Sequence, residues 1–162
     1  MLHAHPTANI SPLADIEESS RGTRIEVGAD CLIDSFVKIK CAGGVDDVVI
    51  GCSSYINSGT VIYTGNGVKI GSHVLIAANC TLAPVNHEFS DPNRPIVEQG
   101  FQPSKGGIQI EDDVWIGANT VVLDGAKIGR GCVVGANSLV NKTLEPMGIY
   151  AGSPCRKIGE RK

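Results

Sequence analysis

Residues 108–140 read IQIEDDVWIGANTVVLDGAKIGRGCVVGANSLV, and this stretch decides the fold. Aliphatic side chains stand at Ile110, Ile116, Val122, Ile128, Val134 and Val140, every sixth position. A helix of ~3.6 residues per turn scatters such positions around its circumference, whereas the strand period of two divides six evenly. The residue two before each of these anchors points to the same side of a short strand. Those residues are Ile108, Val114, Thr120, Ala126, Cys132 and Ser138, and none is charged. Glycine follows several anchors, as in Ile116-Gly117, Ile128-Gly129 and Val134-Gly135, which suits a tight corner. Three faces per turn make a triangular coil that stacks Ile110 on Ile128 and Ile116 on Val134, 18 residues apart. The pattern predicts an all-β solenoid, a parallel β-helix built from hexapeptide repeats.

The same period runs upstream through Val27, Ile33, Ile39 and Val45, slips in phase to run through Ile50, Ile56 and Ile62, and resumes at Ile70, Ile76 and Leu82. The partners two before these anchors include Cys31, Val37, Gly43, Ser54, Thr60 and Cys80. Cys31, Cys80 and Cys132 are therefore read as small core fillers. The six cysteines contain no CxxC pair, so neither a zinc site nor a disulfide framework is predicted, and reduced thiols are.

A chain of 162 residues fits one domain spanning residues 1–162. Its net charge of −3 excludes a nucleic-acid binder that works by neutralising phosphates. The opening MLHAHPTANI has neither the basic nor the apolar region of a secretory signal, and no apolar run is long enough to span a bilayer. A cytoplasmic protein without membrane insertion is the expectation.

The repeat fails once at length, in an excursion over residues 83–107 that holds Pro84, Pro92, Pro95 and Pro103 together with His87, Phe89 and Arg94. A long irregular insertion in a compact domain is either functional or disordered, and the chemistry of these side chains exceeds what a linker needs. His87 is the excursion's only histidine, while His73 falls at a corner after Ile70-Gly71. Histidine exchanges protons near neutral pH, which suits a general base.

The repeat resembles the hexapeptide-repeat acyltransferases, whose coils wind into a left-handed parallel β-helix. That hand is implied by the resemblance, because the general crossover rule favours the opposite one. From about residue 50 to 158 the chain resembles the sugar and antibiotic acetyltransferases of that group, such as the galactoside and maltose enzymes. The resemblance rests on Asp113-Val114-Trp115-Ile116-Gly117-Ala118, Gly125-Ala126-Lys127-Ile128-Gly129, Val134-Gly135-Ala136-Asn137-Ser138 and Ala151-Gly152-Ser153-Pro154-Cys155-Arg156.

The resemblance implies that His87 is the catalytic base, that Asn57 contacts the acceptor, and that Trp115, Ala118, Ala136, Lys142 and Arg156 contact acetyl-CoA. It also implies a homotrimer with sites between subunits, direct transfer without an acetyl-enzyme, and no metal. Lys157 is a neighbour of these contacts, and Arg161 and Lys162 read as a solvated C-terminal tail. The sugar enzymes carry a long N-terminal helical region that this chain lacks, and their loop has His-Pro where this one reads Asn-His-Glu-Phe. That loop resembles acetyltransferases that modify surface polysaccharides or their nucleotide-sugar precursors.

The leading reading is O-acetylation of a sugar or sugar-containing acceptor. N-acetylation of an amino sugar and a noncatalytic β-helix used for assembly are the alternatives. A zinc carbonic anhydrase on the same helix needs three histidines per metal, and only His73 and His87 lie within the repeats.

Overall fold

Strands of only two to five residues cannot stand alone, and in the computed structural model, which describes residues 1–162, each is paired by stacking on the next coil. Three sheets result. The first face runs through Leu2–Ala4, Ile25–Val27, Val48–Ile50, Val68–Ile70, Ile108–Ile110, Lys127–Ile128 and Thr143–Leu144. The second runs through Asn9–Ile10, Leu32–Ile33, Tyr55–Ile56, Leu75–Ile76, Trp115–Ile116, Val133–Val134 and Gly148–Ala151, with Arg156–Glu160 added at its end. The third runs through Asp15–Ile16, Lys38–Lys40, Val61–Tyr63, Thr81–Ala83, Val121–Leu123 and Leu139–Val140. The chain visits the faces in that order, turn after turn, so three edges separate them. Pairing is parallel with Ile110 on Ile128 and Ile116 on Val134, as the spacing predicts.

Every anchor is buried except Val45, and every residue two before an anchor is buried except Gly43. Those two exceptions belong to one error of phase. Residues 41–47 leave the coil between Lys38–Lys40 and Val48–Ile50, and Val45 is 54% exposed. The buried apolar side chains form one cluster along the prism.

The inward polar residues have a second task beyond filling space. Cys31, Cys80 and Cys132 point Sγ at Gly51 O (2.9 Å), Gly117 O (3.3 Å) and Glu145 O (3.0 Å). Ser54 and Thr120 donate likewise to Gly71 O (2.9 Å) and Gly135 O (3.2 Å). Each satisfies a carbonyl at a corner of the next coil, where strand pairing has lapsed.

The glycines after anchors also act differently from the expectation. Left-handed backbone falls farther along, at Asn79, Asn119 and Asn137 (φ 59°, 58° and 56°) on the second edge, and at His73 (φ 58°) on the first. Asparagine tolerates that conformation better than most residues. Gly51 and Gly117 instead permit contact between coils: a Cβ there would come within 2.6 Å of Gly71 C and 2.5 Å of Ala136 N.

Three features correct the sequence reading at its margins. The first coil begins at Leu2, where Leu2, Ala8, Ile10, Ala14 and Ile16 pack half-buried against the core. Ala83 is still strand, so the long excursion covers 84–107. The C-terminus is no free tail: Arg156–Glu160 pairs antiparallel with Gly148–Ala151, and Arg161 is held by Asp113 Oδ2 at 3.0 Å.

All the long insertions emerge on the third edge, between the third face and the first. They are residues 17–24, 41–47, 64–67 and 84–107. They also pack on one another. Val85 occupies the space over Gly43 and Gly65, where a Cβ would lie 2.6 and 2.2 Å from its Cγ1.

Candidate active site

The excursion that carries His87 leaves Thr81–Ala83 and doubles back. Gln102 N donates to Asn86 O (2.8 Å), Glu88 N donates to Gly100 O (3.0 Å), and His87 bridges Phe101. The imidazole of His87 is exposed, makes no hydrogen bond within the chain, and lies over the Phe101 ring at 4.8 Å between centroids. An aromatic ring thus orients it and both nitrogens are left for substrate. Sequence reasoning passed over Phe101, although two of the chain's three phenylalanines fall in this excursion.

Next to it, Glu88 shapes the loop by accepting from Ser90 N (2.8 Å) and Phe89 N (2.7 Å). Those bonds hold its carboxyl below the usual range. The tip is closed by Gln99, which bonds to Asp91 and Arg94 backbone atoms.

The return limb is fixed by Asp124, a nearly buried carboxylate on the coil below. It accepts from Lys105 N (2.8 Å), Gly107 N (2.9 Å) and Asn66 Nδ2 (3.2 Å). Nothing in the hexapeptide pattern marks Asp124 in advance. Its sequence signal is a carboxylate followed by glycine two residues after the anchor Val122.

Trp115 lies on the second face and is 51% exposed, as the alternation requires. It belongs to an outward column formed by Leu32, Tyr55, Leu75, Trp115, Val133 and Ile149, which are in register. A cavity of about 350 Å³ beside the indole is bordered by His73, Leu75, Asp113, Val133 and Arg161. The Asp113–Arg161 ion pair frames it, a role sequence reasoning missed when it read Arg161 as tail.

Ala118 and Ala136 continue from this column onto the second edge, one coil apart and joined by Asn137 N to Ala118 O (2.9 Å). Ala136 is exposed. Arg156 follows at the C-terminal end, paired with Ala151. Lys142 is exposed on the third edge of the last coil, near enough that its charge acts on the Cys155 thiol. Asn57 sits at a second-edge corner with its Nδ2 engaged by Ile76 O at 2.7 Å, leaving Oδ1 free.

Topology separates these residues into two groups. Trp115, Ala118, Ala136 and Asn57 occupy the second face and its edge, while His87 and Lys142 project from the third edge, across the prism from that face. A single chain does not bring them together.

None of the inward thiols is placed for attack. Burial pushes Cys31, Cys80, Cys132 and Cys155 above the ordinary thiol range, which suppresses the reactive thiolate. At pH 8 a maleimide should label exposed Cys52 first and half-buried Cys41 next, with the other four reacting only in denaturant. Mass spectrometry of the intact chain counts the adducts, and rapid labelling of all six would contradict this packing.

Such a prism, with one long loop and an apolar track along an edge, defines a class, the left-handed parallel β-helix of hexapeptide-repeat transferases. Residues 107–142 match the bacterial transferase hexapeptide (six repeats) family. The chain is 32% identical over 138 residues to a galactoside O-acetyltransferase of Lactococcus lactis, covering 83% of this chain and 64% of that one. It resembles the hexapeptide-repeat-containing acetyltransferase VCA0836 of Vibrio cholerae, solved with acetyl coenzyme A, at 31% identity and a TM-score of 0.72, covering 87% and 72% of the two chains. A variant of AntD, an N-acyltransferase from Bacillus cereus, was solved with dTDP-4-amino-4,6-dideoxyglucose and coenzyme A. It matches at 27% identity and a TM-score of 0.81 over 99% of this chain and 83% of that one. The chain belongs to the hexapeptide-repeat acetyltransferase family. It spans between 36% and 64% of the length of several curated acetyltransferases it matches.

Proposed function

We propose that this protein transfers an acetyl group from acetyl-CoA to a hydroxyl of a sugar or sugar-containing acceptor, with His87 as general base. The observation that carries the reading is an exposed histidine with no partner of its own, held on a structured loop in a chain of acetyltransferase family. His87 takes the proton of the attacking hydroxyl as the oxygen bonds to the thioester carbonyl. It returns that proton to the departing thiolate, so no acetyl-enzyme forms. Backbone N–H groups at the corners supply the oxyanion donors.

Acetyl-CoA fits the second face and edge: the pantetheine along the smooth track of Ala118 and Ala136, near Trp115, with its phosphates toward Arg156 and toward Lys142 of the neighbouring chain, since Lys142 shares the third edge with His87. Asn57 then offers Oδ1 to an acceptor hydroxyl. Because His87 and this track lie across the prism from one another, the working site needs two chains, and a homotrimer closes three such sites. Two apolar surfaces support that assembly. The excursion exposes Phe89, Val97 (85%) and Phe101, and the second face exposes Tyr55, Leu75 and Trp115. Surfaces of this kind are normally covered by a partner.

N-acylation of a nucleotide-linked amino sugar is the second reading, favoured by the match to AntD over almost the whole chain. One assay separates the readings: release of free thiol from acetyl-CoA against methyl glycosides, amino sugars and dTDP-amino sugars, with the product then treated with hydroxylamine. An ester product is cleaved and indicates O-acetylation; a resistant amide indicates the second reading. Silence across all acceptors would overturn both and favour an assembly role.

A further inference from the structure

The third edge overhangs the first face and leaves a shelf on its outer side, a cavity of about 520 Å³. This volume lies within the ~300–1,000 Å³ common for small-ligand sites. Its floor is the outward column Glu26, Val49, Lys69 and Gln109, which the strand register stacks in successive coils. Its wall comes from three insertions at once: Asp46 and Asp47, then Asn66, then Ser104 from the return limb of the His87 loop. The wall is firm, because Asp124 fixes Lys105, Gly107 and Asn66 behind it. Gly107 packs so closely on Asn66 O that a Cβ would lie at 2.3 Å.

Several polar groups on the shelf have no partner within the chain. The Asp46 carboxylate, the Lys69 ammonium and the Gln109 amide make no hydrogen bond or ion pair, and Asn66 Oδ1 is free. Arg24 is already engaged, donating to Asp47 Oδ2 from Nε (3.0 Å) and Nη2 (2.7 Å). The lining therefore mixes donors and acceptors, carries two cations against three carboxylates, and contains no aromatic ring. A phosphate ester meets net repulsion there, and a flat aromatic ligand finds nothing to stack on. Hydroxyl groups, each donor and acceptor, match this set.

We infer that this shelf binds an uncharged sugar residue of an extended acceptor, outside the transfer site. The inference rests on the sugar-acceptor reading. It assigns Asp46, Lys69 and Gln109 to hydroxyl recognition, and it makes the return limb of the loop a wall shared by the shelf and the site that uses His87. An acceptor with a second sugar would be held at both places, which raises its effective concentration at the transfer site.

The test is the side-chain amide NMR spectrum of the full-length protein, titrated with methyl α-D-glucopyranoside, methyl β-D-galactopyranoside and glucose 6-phosphate. At least one neutral glycoside should shift the Gln109 and Asn66 amides saturably at millimolar concentration. Asp46→Asn and Lys69→Ala, both at exposed positions, should each weaken it at least tenfold, and glucose 6-phosphate should bind more weakly. No saturable shift with either glycoside, shifts indifferent to both substitutions, or tighter binding of the phosphate ester would overturn the inference. Thiol release by the wild type is measured in parallel. Transfer to a sugar with a silent shelf removes only the shelf, whereas shelf binding with no transfer to any sugar removes the reading beneath it.

Discussion

His87→Ala should lower the rate of acetyl transfer by ~10²- to 10⁴-fold, the usual contribution of a general base, and leave the fold intact. The second half follows from position: the imidazole is exposed, makes no hydrogen bond within the chain, and touches the loop through the Phe101 ring. A circular dichroism spectrum and melting temperature close to wild type would accompany the loss, which identifies it as chemical. His73→Asn is the informative comparison, because His73 borders the cavity beside Trp115 and asparagine accepts its left-handed backbone. Collapse of activity in His73→Asn, with His87→Ala still active, would move the proton acceptor to the second face.

The division of the site between chains gives the same variant a second use. If His87 of one chain serves the Trp115 face of another, His87→Ala and Trp115→Ala chains fail separately but complement when unfolded together and refolded as a mixture. Random assembly of equal amounts leaves about one site in four with both side chains intact. Recovery toward that fraction supports a shared site, and complete absence of recovery would place both residues' work within one chain.

The coil was legible in the sequence because a packed prism demands an inward residue at fixed intervals, and substitution there leaves a cavity or a buried charge. Signals weakened where that demand weakens. The first coil does repeat, with Ala4, Ile10 and Ile16 six apart, but Ala4 is exposed and the two isoleucines are only partly covered, so the pattern reads faintly. Val45 obeyed the period by coincidence: Gly43, at φ 79°, turns the chain out of the coil just before it. His87, Trp115, Ala118 and Ala136 stood out through resemblance to a family. Phe101, Asp124 and the Asp113–Arg161 pair did not, because each acts through a partner 14, 17 to 58, or 48 residues away. Periodicity predicts which way a side chain faces. It does not predict which distant loop arrives to meet it.

Asp124→Ala should destabilise the protein by roughly 2 kcal/mol, since it strips partners from two backbone donors and one amide, of which the Gly107 N–H is buried and the other two partly so. Lys105 N, Gly107 N and Asn66 Nδ2 all lose their acceptor. The effect on function should exceed what the lost stability explains. The freed return limb is paired with the outgoing limb through Asn86–Gln102, His87–Phe101 and Glu88–Gly100, so slack at Lys105 and Gly107 reaches His87 directly. Below the melting temperature, where the coil is still folded, turnover should fall at least tenfold and trypsin should cut more readily after Lys105, which precedes glycine. Asp124→Asn keeps the shape and one acceptor oxygen, but turns an amide toward a donor, and should fall between. Urea unfolding, limited proteolysis and thiol release on the three proteins separate these effects. Unchanged cleavage after Lys105 in Asp124→Ala would mean that the loop is positioned by Val85 and the glycines beneath it, and that Asp124 serves the coil alone.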